Sequence, residues 1–203
     1  MAAENMDRRV RKTRTMLRLC LARLLKEKKI QEISVKEISE MADINRGTFY
    51  LHYRDVYDLL ASIEDDMFRQ FNGILERNTP SGEITERPSR LILELFSFIR
   101  ENADLAQILM GPNGDIQFLN QLREVFKDRI MIPWAKTLHI GNEKDYQYWY
   151  AFITDGCLGL IKAWLENGTD LSPEEVADLA EKFITSGTAG LVPEEVRAKR
   201  EAR

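Results

Sequence analysis

Apolar positions recur along most of the chain at intervals of three and four residues, and no stretch alternates apolar and polar positions for long. That spacing predicts an all-α protein. Val10, Thr13, Leu17, Cys20, Leu21, Leu24 and Leu25 mark an amphipathic first helix over about 7–28, with residues 1–6 a disordered start. A short series, Val35, Ile38, Met41 and Ala42, then begins behind Ser34, and Glu37 three residues on completes a capping box that fixes where this helix starts. Asp43, Ile44 and Asn45 interrupt it, because Asp and Asn tolerate the backbone of a sharp corner while Ile44 plugs the space beneath. Another short helix starts near Asn45 or Arg46. From Asp55, a plausible cap, the series Leu59, Leu60, Ile63, Met67, Phe71, Ile74 and Leu75 predicts a helix to about residue 77, roughly 30 Å long and able to join an N-terminal head to the rest. A loop follows at Asn78, Thr79, Pro80, Ser81 and Gly82.

Further helices are expected over 88–102, 104–110, 115–138, 143–167 and 173–186, separated by loops at Gly111, Pro112 and Gly114, at Gly141 and at Gly168. Ser172, Pro173 and Glu175 give the last of them a capping box with proline in its first turn. Residues 193–203 read as a frayed tail with no strong reason to pack. The resulting organisation is a three-helix head over 1–54 and a larger helical body over 55–203.

The second short helix has a surface that core filling does not require. Arg46, Thr48, Tyr50, Leu51, His52 and Arg54 surround a helix held down by only Phe49, Tyr53 and Ile44. Entering a major groove N-terminus first, it would place Arg46 and Thr48 at base edges and meet phosphates with its tyrosines and its positive end. Spacing alone leaves a solvated helical hairpin open as the alternative.

Charge separates the two readings further. The chain carries a net −4, but residues 1–60 hold 13 Lys and Arg against 9 Asp and Glu, a net +4, and the remainder a net −8. A basic end on an acidic body suits a protein whose one end must approach phosphates. Arg8, Arg9, Arg11, Lys12 and Arg14 read equally well as a phosphate-gripping arm or a solvated face.

The stretch SVKEISEMADINRGTFYLHYRDVYDLL resembles the DNA-binding segment of the TetR/AcrR family of bacterial transcriptional regulators. Ser34, Val35, Ile38, Ala42, Ile44, Asn45, Gly47, Thr48, Phe49, Tyr50, His52, Tyr53 and Leu59 fall on the family pattern without a gap. Ser39 replaces the usual alanine, Asp43 the turn glycine, and Val56 a phosphate-contacting lysine, whose contact then falls to Arg54 or the helix-end amides. Together the helix surface and the resemblance make Ser34, Lys36, Asn45, Arg46, Gly47, Thr48, Tyr50, Leu51, His52, Tyr53 and Arg54 candidate DNA contacts, and the resemblance implies a repressor released from a palindromic operator by a small molecule. It also implies a homodimer through the last two helices, with Gly156, Gly159, Leu160, Trp164, Leu179 and Phe183 at the interface. The C-terminal segment is similar to a subgroup from low-GC Gram-positive bacteria. A regulator-like adaptor switched by a partner protein, with no ligand of its own, is the alternative.

The body is rich in aromatic residues. Phe96, Met110, Phe118, Trp134, Tyr146, Trp149 and Tyr150 are candidates to line an effector site, with Phe98, Ile99, Phe126 and Phe152 as further apolar surface. At helical spacing each is first of all a core residue. His139, Asp155 and Lys162 are candidate polar groups for such a site or plain surface residues. The helix around 146–164 is apolar on more than one face and is expected to be largely buried, with Gly156 and Gly159 admitting a close neighbour.

No catalytic or metal motif stands out. A Cys157–His139 dyad would need two isolated residues from different helices, and Cys20 and Cys157 read as inert thiols in a reducing compartment. An enzyme is not expected, nor a cofactor. With no apolar run long enough for a signal peptide or membrane span, a cytoplasmic protein is expected.

Overall fold

The computed structural model describes residues 2–79, 89–111, 114, 116–139 and 143–189. Helical periodicity becomes helix throughout: α1 (Ala2–Glu27), α2 (Val35–Met41), α3 (Arg46–Tyr50), α4 (Val56–Asn78), α5 (Ser89–Glu101), α6 (Ala103–Leu109), α7 (Ile116–Phe126), α8 (Ile132–Leu138), α9 (Glu143–Glu166) and α10 (Pro173–Ala189). A 3-10 turn occupies Ile30–Glu32, and among the described residues there is no strand. The expected tail over 193–203, and the loop residues Pro80–Gly82, Pro112 and Gly141, lie outside the described residues.

Two departures from the expected elements have local causes. The backbone of α1 is helical from Ala2, where a disordered start was expected, because Ala, Glu and Met are good helix formers and nothing in that stretch breaks a helix. The helix expected over 115–138 is three pieces, with a π-helical turn at Lys127–Met131 between α7 and α8. Pro133 lies in the first turn of α8, and a proline ring crowds the carbonyl four residues before it. Just ahead of it, the Ile132 N–H reaches five residues back to the Lys127 carbonyl, so the wider turn makes room for the ring.

The chain forms two compact units, Met1–Arg69 with Ile108–Ile116, and Gln70–Gln107 with Gln117–Arg203. The division falls inside α4. In the first unit Leu17 and Leu21 of α1, Ile38 of α2, Phe49 of α3 and Leu59 of α4 are fully buried. Polar ties fix the register around this core: Lys28 pairs with Glu37, and Arg18 pairs with Asp66 and donates to Ser62 Oγ at 2.9 Å.

In the second unit α10 packs on α5 and α9. Phe96 meets Trp164 edge-on at 5.5 Å. The turn after α9 uses positive φ at Gly168 and Thr169, 71° and 53°, and Arg100 donates to the Thr169 carbonyl at 2.6 Å. The Trp164 indole donates to the Leu171 carbonyl at 3.0 Å. Cys20 is buried and Cys157 half-buried, both as free thiols. No helix among the described residues is long and apolar enough to cross a membrane.

Candidate nucleic-acid interface

Reciprocal capping defines where α2 starts. The Glu37 N–H donates to Ser34 Oγ at 3.3 Å and the Ser34 N–H donates to Glu37 Oε2 at 3.0 Å. Lys28 and these Ser34 bonds hold the Glu37 carboxyl down to a pKa of about 2. The corner between α2 and α3 turns on Asp43, at φ 51°, and is closed by the Ile44 N–H donating to the Ser39 carbonyl at 3.0 Å. Asn45 then caps α3, accepting from the Gly47 N–H at 2.9 Å. A matching pair opens α4: the Asp58 N–H donates to Asp55 Oδ1 at 2.8 Å and the Arg54 N–H to Asp58 Oδ2 at 2.9 Å, lowering the Asp58 pKa. Every joint around α3 is thus hydrogen-bonded.

What α3 presents follows from which residues its core takes. Phe49 is fully buried and Tyr53 is 5% exposed, so these two anchor the helix. The Tyr53 hydroxyl is itself buried, which places that residue beneath the surface rather than on it. Tyr50 and Leu51 project, at 58% and 82% exposed, and Arg46, Gly47 and Arg54 are exposed beside them, with Thr48 and His52 half-buried. Burial first, then the Arg14 charge, lower the His52 pKa and so favour a neutral imidazole. On α2 Lys36 is exposed and 3.8 Å from Glu40, while exposed Ser34 is committed to its cap. Val56 is buried, so its side chain meets the core where a lysine would reach outward. Arg54 lies two residues away, 3.2 Å from Asp58 and otherwise open to solvent.

The body candidates separate into three groups. Trp134, Tyr146, Trp149 and Tyr150 form one aromatic cluster, with centroids 5.6 to 6.2 Å apart along it. Phe96 belongs to a different contact, against Trp164, and Phe118 is buried in the core. Met110 falls in the segment that belongs to the first unit. His139 is an exposed, left-handed cap of α8, Asp155 is 3.3 Å from Arg123, and Lys162 is exposed 3.9 Å from Glu166, so all three sit at the surface.

The face of α9 expected to be buried is divided. Trp149, Ile153, Trp164 and Leu165 are buried, whereas Tyr148, Phe152, Gly156 and Gly159 are exposed. Trp164, expected at a dimer interface, is instead consumed within the unit by Phe96 and Leu171. Phe152, expected to line a site, is 66% exposed, with its ring 3.2 Å from where a Cβ on Gly187 of α10 would stand. Phe183 is exposed on α10, Leu160 and Leu179 are half-buried, and a Cβ on Gly156 or Gly159 would meet nothing within 4 Å. Burial raises the Cys157 thiol to about 11. Sequence reasoning missed Lys127, 6.0 Å from the Tyr150 ring, whose position depends on the π turn, and Gly187, which only the pairing of α9 with α10 makes noticeable.

Residues 86–186 match the family model TetR_C_8, described as a transcriptional regulator C-terminal region. Over 174 residues the sequence is 25% identical to the uncharacterized HTH-type transcriptional regulator YxbF of Bacillus subtilis (strain 168), covering 81% of this chain and 43% of YxbF; this chain spans less than half the length of that relative. A TetR-like transcriptional regulator from Rhodococcus sp. RHA1 is similar in structure, with a TM-score of 0.62 at 18% identity, covering 88% of this chain and 96% of that one. NalD, the secondary repressor of the MexAB-OprM multidrug efflux pump in Pseudomonas aeruginosa, gives 0.58 at 20% identity, covering 91% and 98%.

Proposed function

We propose that the chain is a TetR-family transcriptional regulator, as the match of residues 86–186 and the likeness to YxbF support, and that it is a sequence-specific DNA-binding repressor, held on a palindromic operator as a homodimer and released when the body takes up a small molecule. The observation that carries this reading is α3 itself: a short helix, capped at both neighbouring joints, that exposes Arg46, Gly47 and Tyr50, with Leu51 and Arg54 exposed just after it. Bidentate or single donors from Arg46 and Thr48 would read base edges, and Tyr50, Lys36 and Arg54 would contact the backbone. Arg54 supplies the cation near the start of α4 that Val56 does not. These are the roles of a binding protein rather than an enzyme, and DNA as partner places it in the cytoplasm.

A single short helix contacts only a few base pairs, so affinity and palindrome reading call for two copies. Exposed Phe152 and Phe183, with open space beside Gly156 and Gly159, give α9 and α10 apolar surface that a second copy would cover. Release by an effector requires that the ligand prefer a conformation in which the two α3 helices no longer fit the duplex.

The experiment is a mobility-shift assay on DNA selected from a random pool. Thr48→Ala and Tyr50→Ala proteins, with unchanged circular dichroism, should lose the preference for the selected sequence. Unchanged preference in both would remove α3 as the reading element.

A further inference from the structure

Trp134 of α8 is 3% exposed, and its indole Nε1 is buried without a hydrogen-bond partner among the described residues. The Tyr146 hydroxyl, on α9, is in the same condition. Both rings pack on Trp149, at 5.6 and 6.1 Å, and Tyr146 stacks on Tyr150 with planes 19° apart. Native cores leave few such donors unsatisfied, and the other indole N–H of this unit with a described bond, that of Trp164, does find a carbonyl. The turn that accommodates Pro133 adjoins the same place. The π turn Lys127–Met131 leads directly into α8, and its first residue puts Nζ 6.0 Å from the Tyr150 ring.

We propose that this cluster is the recognition end of the effector site, which rests on the regulator reading above, and that it takes a planar, uncharged, apolar molecule bearing a hydrogen-bond acceptor, such as an aryl ketone, quinone, lactone or amide. Four aromatic rings favour a flat ligand face. An indole N–H can only donate, and a phenol with an idle proton offers the same, so the ligand must accept. Lys127, 6.0 Å from the Tyr150 ring, and Asp128, whose charge acts on Tyr146, bring opposite charges to the cluster, so together they favour no net ligand charge. Burial, followed by Tyr150 and Asp128, raises the Tyr146 pKa, and the same withdrawal from water penalises an ionised ligand.

Calorimetric titration of the full chain with three probes of one shape tests this: 2-acetonaphthone, 2-ethylnaphthalene and 2-naphthoate. The ketone should bind about tenfold more tightly than either of the others, the scale of one or two satisfied hydrogen bonds. Trp134→Phe and Tyr146→Phe should each remove most of that advantage and leave 2-ethylnaphthalene unchanged. Equal binding of ketone and hydrocarbon, tighter binding of the carboxylate, no binding of any probe, or a ketone preference that survives both substitutions would overturn the site. If Trp134→Phe does not melt cooperatively, Tyr146→Phe decides. Operator binding by the same wild-type preparation keeps the two readings apart: operator preference without ketone selectivity overturns this site alone, and ketone selectivity without operator preference overturns the repressor reading alone.

Discussion

Gly47 has no steric reason within the protein to be glycine. A Cβ there would meet nothing closer than Asn45 Oδ1 at 3.5 Å, an ordinary contact, and the position is helical. What the missing side chain leaves open is the outer surface of α3, where a duplex would approach. Gly47→Ala should therefore melt at the same temperature or higher, a gain of up to about 1 kcal/mol from helix propensity, while operator affinity falls about tenfold or more. Unchanged affinity would mean that this turn does not meet DNA. Ser39 is the converse case. Its departure from the family alanine is plain in the sequence, but only its burial shows the consequence, a hydroxyl with no partner. Ser39→Ala should stabilise the protein by about 1 kcal/mol in chemical denaturation and leave DNA binding alone; a destabilised variant would show that the hydroxyl is bonded after all. The ionisable groups set the acid response. Glu37 is depressed from 4.5 to about 2, so its contribution is complete above 4.5 and disappears as pH falls toward 2. His52 is also depressed, so the folded state disfavours its proton, and stability falls as pH drops below the ordinary imidazole value of about 6.5. Melting temperature should decline in both windows, and Glu37→Gln should flatten only the lower one.

At the scale of elements, most helices were legible because periodicity and caps are local. Ser34 with Glu37 and Ser172 with Glu175 place two helix starts from sequence, and both form the predicted bonds. The α2–α3 corner was legible for the same reason, since Asp43 and Asn45 are residue types chosen by backbone conformation. Two things were not. The start of α1 lacks a cap signal, so periodicity places it near residue 7 rather than at Ala2, and the π turn before Pro133 arises from a proline that pattern counting passes over. The partition of α9 was only half legible. An apolar residue counts the same in a sequence whether it is buried in its own chain or left exposed, so Trp164, 3% exposed, and Phe152, 66% exposed, looked alike.

At the scale of the molecule, the exposed face of α9 and α10 is where self-association is expected. Phe152→Glu would set a charge beside Gly187, in place of an exposed aromatic ring. In sedimentation equilibrium at micromolar concentration the wild type should be a dimer and Phe152→Glu mostly monomer with unchanged helicity; a wild-type monomer, or a variant that still dimerises, would move the interface elsewhere. Charge at this scale was legible by counting, +4 over residues 1–60 against −8 beyond. The effector chemistry proposed above was not, because it depends on which aromatic residues cluster and which of their polar atoms go unmet.

The central claim is that α3 reads sequence from a basic head, and the titration of DNA binding against salt tests it most directly. With the operator recovered from a random pool, affinity should exceed that for bulk DNA by about a thousandfold or more, and log affinity should fall linearly with log salt for both. Equal affinity for operator and bulk DNA, or binding that ignores salt, would contradict the account.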